Sequence, residues 1–227
     1  MTLILALKGR EHVITAGDTL EMREANAATY CQSRQKIKPI NGDWVIGVSG
    51  SLDGMQVVED LGNKKITNPT ELVSSAVQQI SDRLLDLYRR KKFKGVCWFL
   101  LSGVSRGQPF IWNWNFVEEN GEVICEGPRE QQDFAAIGTC DHGGLYFTHQ
   151  FWRPGMTTGQ TSLLGLHCVS EVANHDPRVD GPFTVGIAEE GKPPTMRTGK
   201  ELTELLVRSR AITTNIQFQF SNIDITI

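Results

Sequence analysis

The chain has 227 residues and a mass of 25.3 kDa, enough for one large domain (1–227) with a full core. Its 40% apolar and 22% charged residues match an ordinary soluble globular protein, and 23 basic against 26 acidic side chains leave a charge of −3. That balance offers no basic face for nucleic acid, and the longest apolar run, 96–101, is far too short to cross a bilayer.

The first apolar stretch has no positive charges before it and meets Lys8 and Arg10 at once, so it does not read as an export signal. Five cysteines (31, 97, 125, 140 and 168) are odd in number, scattered, and form no Cys-x-x-Cys pair. They are expected to be reduced thiols in a cytoplasmic protein, with no disulfide frame, metal or cofactor.

In chain order, residues 3–8 and 12–16 flank Gly9-Arg10-Glu11 and predict a hairpin. A second pair, 36–40 and 44–48, is broken at Asn41-Gly42-Asp43, where Asn-Gly favours a tight turn. Gly50 leads into a helix with Met55, Val58 and Leu61 on one face. Asn68-Pro69-Thr70-Glu71 supplies start signals for the next helix, which carries Leu72, Val73, Ala76, Val77, Ile80, Leu84 and Tyr88 at helical spacing. Arg89-Arg90-Lys91-Lys92 closes it and complements its dipole.

Strands resume at 97–101 and at the alternating Phe110, Trp112, Trp114 and Phe116, a stripe expected in the core. Asn120-Gly121 turns the chain back into 122–126. Helices are predicted over 143–152 and over 158–174, the latter behind the capping box Thr157 to Gln160, then a strand over 183–189. Thr198-Gly199-Lys200-Glu201 caps a short helix bearing Leu202, Leu205 and Leu206. Beyond it, Ile216, Phe218 and Phe220 share one phase and Ile223, Ile225 and Ile227 the other, which reads as a hairpin turning at Ser221-Asn222. The pattern predicts an α+β fold: a four-layer αββα sandwich of two antiparallel sheets flanked by helix pairs.

Thr2 carries the chemistry. Methionine aminopeptidases clip before small residues, and loss of Met1 would place a hydroxyl and a free α-amine on one residue. The amine, titrating near ~8, takes the hydroxyl proton. A lysine ammonium stabilises the alkoxide, an aspartate aims the lysine, and backbone N–H groups at a glycine turn receive the oxyanion. Thr2, Asp18, Lys36 and the amide of Gly50 in Val48-Ser49-Gly50-Ser51 supply these parts. Cys140-Asp141-His142 converges on no third ligand, and His149, His167 and His175 read as packing or surface residues.

Several segments in order resemble a proteasome β-type subunit or a bacterial proteasome-like homologue, within the N-terminal-nucleophile hydrolases. They are residues 2–8, Val13-Ile14-Thr15-Ala16-Gly17-Asp18-Thr19, Lys36-Ile37-Lys38-Pro39-Ile40, residues 45–53, Ala135-Ala136-Ile137-Gly138-Thr139, and His175-Asp176 before Gly181-Pro182. The resemblance covers a core of about 2–190, followed by a C-terminal extension of about 195–227. It implies the same sandwich, assembly into a homo-oligomeric ring, and hydrolysis of peptide or unfolded-protein substrates by the mature threonine. It also leaves room for an ATPase or regulatory partner. Carried across, Thr2 matches the nucleophile, Asp18 the carboxylate, and Lys36 the lysine. Two extra residues precede that lysine, and without them Arg34 would stand in its place. Thr139 keeps a hydroxyl where the family has a serine near the amine, and Asp176 matches the aspartate of that cluster. Val179 and Leu3 depart from the pattern, standing where a second serine and a second threonine are usual. A silent structural ring subunit and an amidase of the same fold are the alternatives.

Overall fold

The computed structural model describes residues 2–25, 28–50, 52–61, 72–90, 95–138 and 141–221. The opening hairpin forms as expected, β1 (Leu3–Lys8) with β2 (His12–Gly17). Leu3, Leu5 and Leu7 of β1 face one way and Ile4 and Ala6 the other, and all are buried. The run is continuously apolar because both faces of the strand are covered.

β1 and β2 belong to a five-stranded antiparallel sheet of order β10-β1-β2-β11-β12, with β10 at Phe134–Gly138, β11 at Thr184–Glu189 and β12 at Thr195–Thr198. The second five-stranded sheet runs β5-β6-β7-β8-β9. Its strands are β5 (Ile37–Ile40), β6 (Trp44–Gly50), β7 (Cys97–Ser105), β8 (Gln108–Glu119) and β9 (Glu122–Gln131). Asn41 and Gly42 take positive φ at the β5–β6 turn, as Asn-Gly leads one to expect. Between the sheets lie Ile4, Ala6, Val13, Ile37, Val45, Leu100, Ile111 and Ile137. The faces approach closely at Gly47, where a Cβ would sit 2.7 Å from Ile4. Thr15 Oγ1 and Ser102 Oγ share a hydrogen bond of 2.7 Å across this interior.

Helices α1 (Leu52–Leu61) and α2 (Val73–Arg90) cover the second sheet. Ala76, Val77, Ile80, Leu84 and Tyr88 recur at helical spacing and pack against Phe99, Trp114 and Phe116, so the aromatic stripe is core. The N-terminal signals at 68–71 lie outside the described residues. Helices α3 (Asp141–Phe151) and α4 (Thr158–His175) cover the first sheet, and the Thr157–Gln160 capping box is formed. The four layers of the αββα sandwich are complete.

Two segments differ from expectation. Residues 20–33, for which no element is predicted, form a hairpin of β3 (Leu20–Ala25) and β4 (Ala28–Ser33) that pairs only with itself among the described residues. The tail expected as a hairpin is a helix, α5 (Thr203–Ser221), following a 3-10 turn over Gly199–Leu202; residues 222–227 lie outside the described residues. Leu202, Leu205, Ser209, Thr213 and Ile216 recur every three or four positions. Ser209 hydrogen-bonds His167 at 2.9 Å and Thr213 donates to Glu171 at 2.6 Å, both on α4. The stripe is partly polar, which hides its helical period from a reading of apolar residues alone.

Candidate active site

Asp18 follows the end of β2, in one sheet, and Lys36 precedes β5, in the other; Thr2 precedes β1. The three are brought together and buried, at 3% exposure for Thr2, 1% for Asp18 and 6% for Lys36. Lys36 Nζ donates to Thr2 Oγ1 at 2.6 Å and to Asp18 Oδ2 at 2.8 Å, and also to the Leu20 carbonyl. Arg34 lies elsewhere, 3.7 Å from Glu59 on α1.

Asp18 also clamps the backbone beside Thr2. Its Oδ1 accepts from Leu3 N at 2.9 Å, its Oδ2 accepts from Leu20 N at 3.1 Å, and its own N–H donates to Leu3 O at 3.3 Å. Burial pushes the carboxyl above its ordinary value, while the Lys36 ammonium and the Leu3 N–H pull the other way. Both oxygens act only as acceptors in these bonds, as a carboxylate does. An ammonium so held, with a hydroxyl oxygen at 2.6 Å, is arranged to stabilise an alkoxide.

Gly50 closes β6 with φ +101°, and a Cβ there would meet Val96 O at 2.3 Å. Only glycine fits that conformation without strain. Gly138, at the end of β10, is a site residue that motif reading passed over. Its φ is +111°, and a Cβ would lie 2.0 Å from Thr2 O and 3.0 Å from Ser49 Oγ. The ends of β10 and β6 and the start of β1 therefore meet at one point. The signal was present in Ile137-Gly138-Thr139, a glycine between a core residue and a hydroxyl. The Leu20 carbonyl left no sequence signal, since any residue carries one.

Thr139 lies outside the described residues. Asp176 caps α4 and grips Arg178, accepting from Nε at 2.8 Å and from a terminal nitrogen at 2.6 Å. Val179 is fully buried in the apolar cluster with Leu3, Leu5 and Val172. Among the described residues no cluster could hold a metal ion, and no described helix is long and apolar enough to span a membrane.

The sequence matches the proteasome-subunit family over residues 2–188. The chain belongs to the proteasome family. Comparison with curated proteins gives no match. Among solved structures, this proteasome-family chain is similar to a mutant of Anbu from Hyphomicrobium sp. strain MC1, with a TM-score of 0.75, 18% identity and all of each chain covered. It is similar to Anbu, the ancestral beta-subunit, from Yersinia bercovieri (TM-score 0.73, 14% identity, 99% of each chain). It also resembles the Anbu complex from Pseudomonas aeruginosa, solved as a helical assembly (TM-score 0.72, 12% identity, 99% of this chain and 98% of that one). At these identities the likeness describes the fold of the proteasome-family chain.

Proposed function

We propose that the chain is a threonine-type N-terminal-nucleophile peptidase, hydrolysing peptide bonds with Thr2 once Met1 is removed. The observation that carries this reading is the buried triad, with Lys36 Nζ 2.6 Å from Thr2 Oγ1 and 2.8 Å from Asp18. In the reaction the α-amine of Thr2 takes the hydroxyl proton as Oγ1 attacks the substrate carbonyl. Lys36 holds the oxygen's developing charge and Asp18 holds Lys36. The Gly50 amide receives the oxyanion, and the amine returns the proton to the leaving amine of the substrate. Water then cleaves the Thr2 ester by the same route in reverse. Thr139 and Asp176 are assigned to the surroundings of the amine by resemblance.

The protein is proposed to act as a homo-oligomer. The helical assembly named for the P. aeruginosa complex supports this, as do the exposed Tyr146, Phe151, Val207 and Phe218 on α3 and α5. A cytoplasmic setting is proposed as well, supported by Cys125 and Cys168, which stay as thiols outside any disulfide.

The second reading is a silent structural subunit, favoured by Val179, which packs in the core where the family has a hydroxyl. One experiment separates the two. Intact mass of the purified protein identifies its first residue, and turnover of fluorogenic peptides is compared between the parent and Thr2→Ala. The peptidase reading expects Thr2 at the N-terminus and at least ~10³-fold loss in Thr2→Ala, with the size of the assembly unchanged. A retained Met1 with no turnover would establish the silent subunit.

A further inference from the structure

Each large sheet holds one member of the Lys36–Asp18 pair: Asp18 N donates to Leu3 O of β1 at 3.3 Å, and Val48 N of β6 donates to Lys36 O at 2.9 Å. Asp18 follows β2 of one sheet and Lys36 precedes β5 of the other, while the hairpin between them, β3–β4, pairs only with itself among the described residues. The base of that hairpin, where Leu20 pairs with Ser33, is the direct link along the chain between the two. Thr19 stands there. Its Oγ1 donates to Pro182 O at 2.6 Å and accepts from Ser33 Oγ at 2.9 Å. Its backbone is tied as well: Arg34 N donates to Thr19 O at 2.8 Å, and Thr19 N donates to Asp180 O at 3.4 Å. The side chain is buried, 5% exposed, so its hydroxyl has these protein partners in place of bulk water.

We propose that Thr19 is a positioning residue: its hydroxyl joins the start of β3, the end of β4 and the segment before β11, and so sets the distance from Lys36 to Asp18 and Thr2. The inference rests on the peptidase reading of the same site. Both adjoining residues depend on the knot. Asp18 is one residue before it, and the Leu20 carbonyl that receives Lys36 is one residue after it. Without the hydroxyl, Pro182 O and Ser33 Oγ each lose a partner and the hairpin base is free to shift. A misplacement of a few tenths of an ångström would lengthen the Lys36 contacts without touching substrate, so turnover falls while substrate binding does not.

The test compares Thr19→Val, which keeps the shape and deletes the hydroxyl, with Thr19→Ser, which keeps the hydroxyl. On a fluorogenic peptide, Thr19→Val is expected to lower kcat roughly 10- to 100-fold with KM within about twofold, and Thr19→Ser to stay within about twofold of the parent. Parental kcat in Thr19→Val, or an equal loss in both variants, overturns the proposal. A second measurement needs no activity. The 13Cε signal of Lys36, assigned by its disappearance in Lys36→Met, is expected to move in Thr19→Val and to return in Thr19→Ser. If the parent turns over no peptide, the peptidase reading fails and this signal alone decides: an unmoved signal overturns the positioning role. Should Thr19→Val not fold, Ser33→Ala removes the limb of the knot that reaches the end of β4, the bond from Ser33 Oγ to Thr19 Oγ1, and leaves the bond to Pro182 O. It is then expected to lower kcat and move the Lys36 signal in the same direction, and parental behaviour in both overturns the proposal.

Discussion

A buried ammonium is costly unless charge and hydrogen bonds are supplied to it, and Lys36 receives both. Asp18 offers the charge at 2.8 Å, and Thr2 Oγ1 and the Leu20 carbonyl accept further bonds. The pair is therefore more useful for setting geometry than for stability, since its Coulombic gain is set against two desolvation costs. Breaking it from one side exposes that balance. Asp18→Asn leaves the buried lysine without its counter-charge and is expected to cost about 3–5 kcal/mol, read from urea-unfolding midpoints. Asp18 and Thr2 were legible in the sequence through the family resemblance, whose first two segments, residues 2–8 and 13–19, contain them. The choice of Lys36 over Arg34 was not, because residues 20–33 can take up any length difference between the two strands. Geometry supplies what spacing could not: Lys36 points inward to Thr2, and Arg34 lies near Glu59.

Among the elements, the strand ends that converge on Thr2 are the most constrained. Gly138 has no room for a methyl group, since a Cβ would lie 2.0 Å from Thr2 O. Gly42 has a similar positive φ, +89°, but nothing within 4 Å of its Cβ position. Alanine at the two sites therefore separates backbone strain from displacement of Thr2. Gly42→Ala is expected to cost about 1 kcal/mol and leave peptide turnover unaltered; Gly138→Ala is expected to cost about 3 kcal/mol and to lower kcat roughly 100-fold, measured by thermal unfolding and peptide kinetics. Strands with two covered faces, such as β1, announce themselves as unbroken apolar runs. Helix α5 does not, because it meets α4 through Ser209 and Thr213 as well as through leucines. Polar pairs satisfy one another across that interface, and a search for apolar period alone turns the same residues into strands.

Over the whole molecule, two buried histidines tie α4 to its neighbours, one from β2 and one from α4 itself. His12 of β2 shares a 2.7 Å hydrogen bond with Thr161, and His167 shares one of 2.9 Å with Ser209 of α5. Burial pushes both imidazoles below their ordinary value of 6.5, with Glu189 and Glu171 opposing. As pH falls below about 6.5 the unfolded chain takes up these protons before the native one does. Stability present above that pH is therefore lost on acidification, and the loss continues until pH has fallen through the native values. Urea midpoints at pH 7.5 and 5.5 are expected to fall more for the parent than for the His12→Gln, His167→Gln double variant. Equal falls would assign the acid sensitivity to other groups.

The β3–β4 hairpin has a consequence for how such a chain can change over time. It hangs from the frame by its base and, among the described residues, shares no ladder with either large sheet. Insertions or deletions made beyond that base are absorbed where they occur and do not travel into the strands that carry Asp18 and Lys36. The arm is a module whose length can diverge between relatives, or be exchanged for a foreign loop, while the contacts among Thr2, Asp18 and Lys36 beneath it are kept.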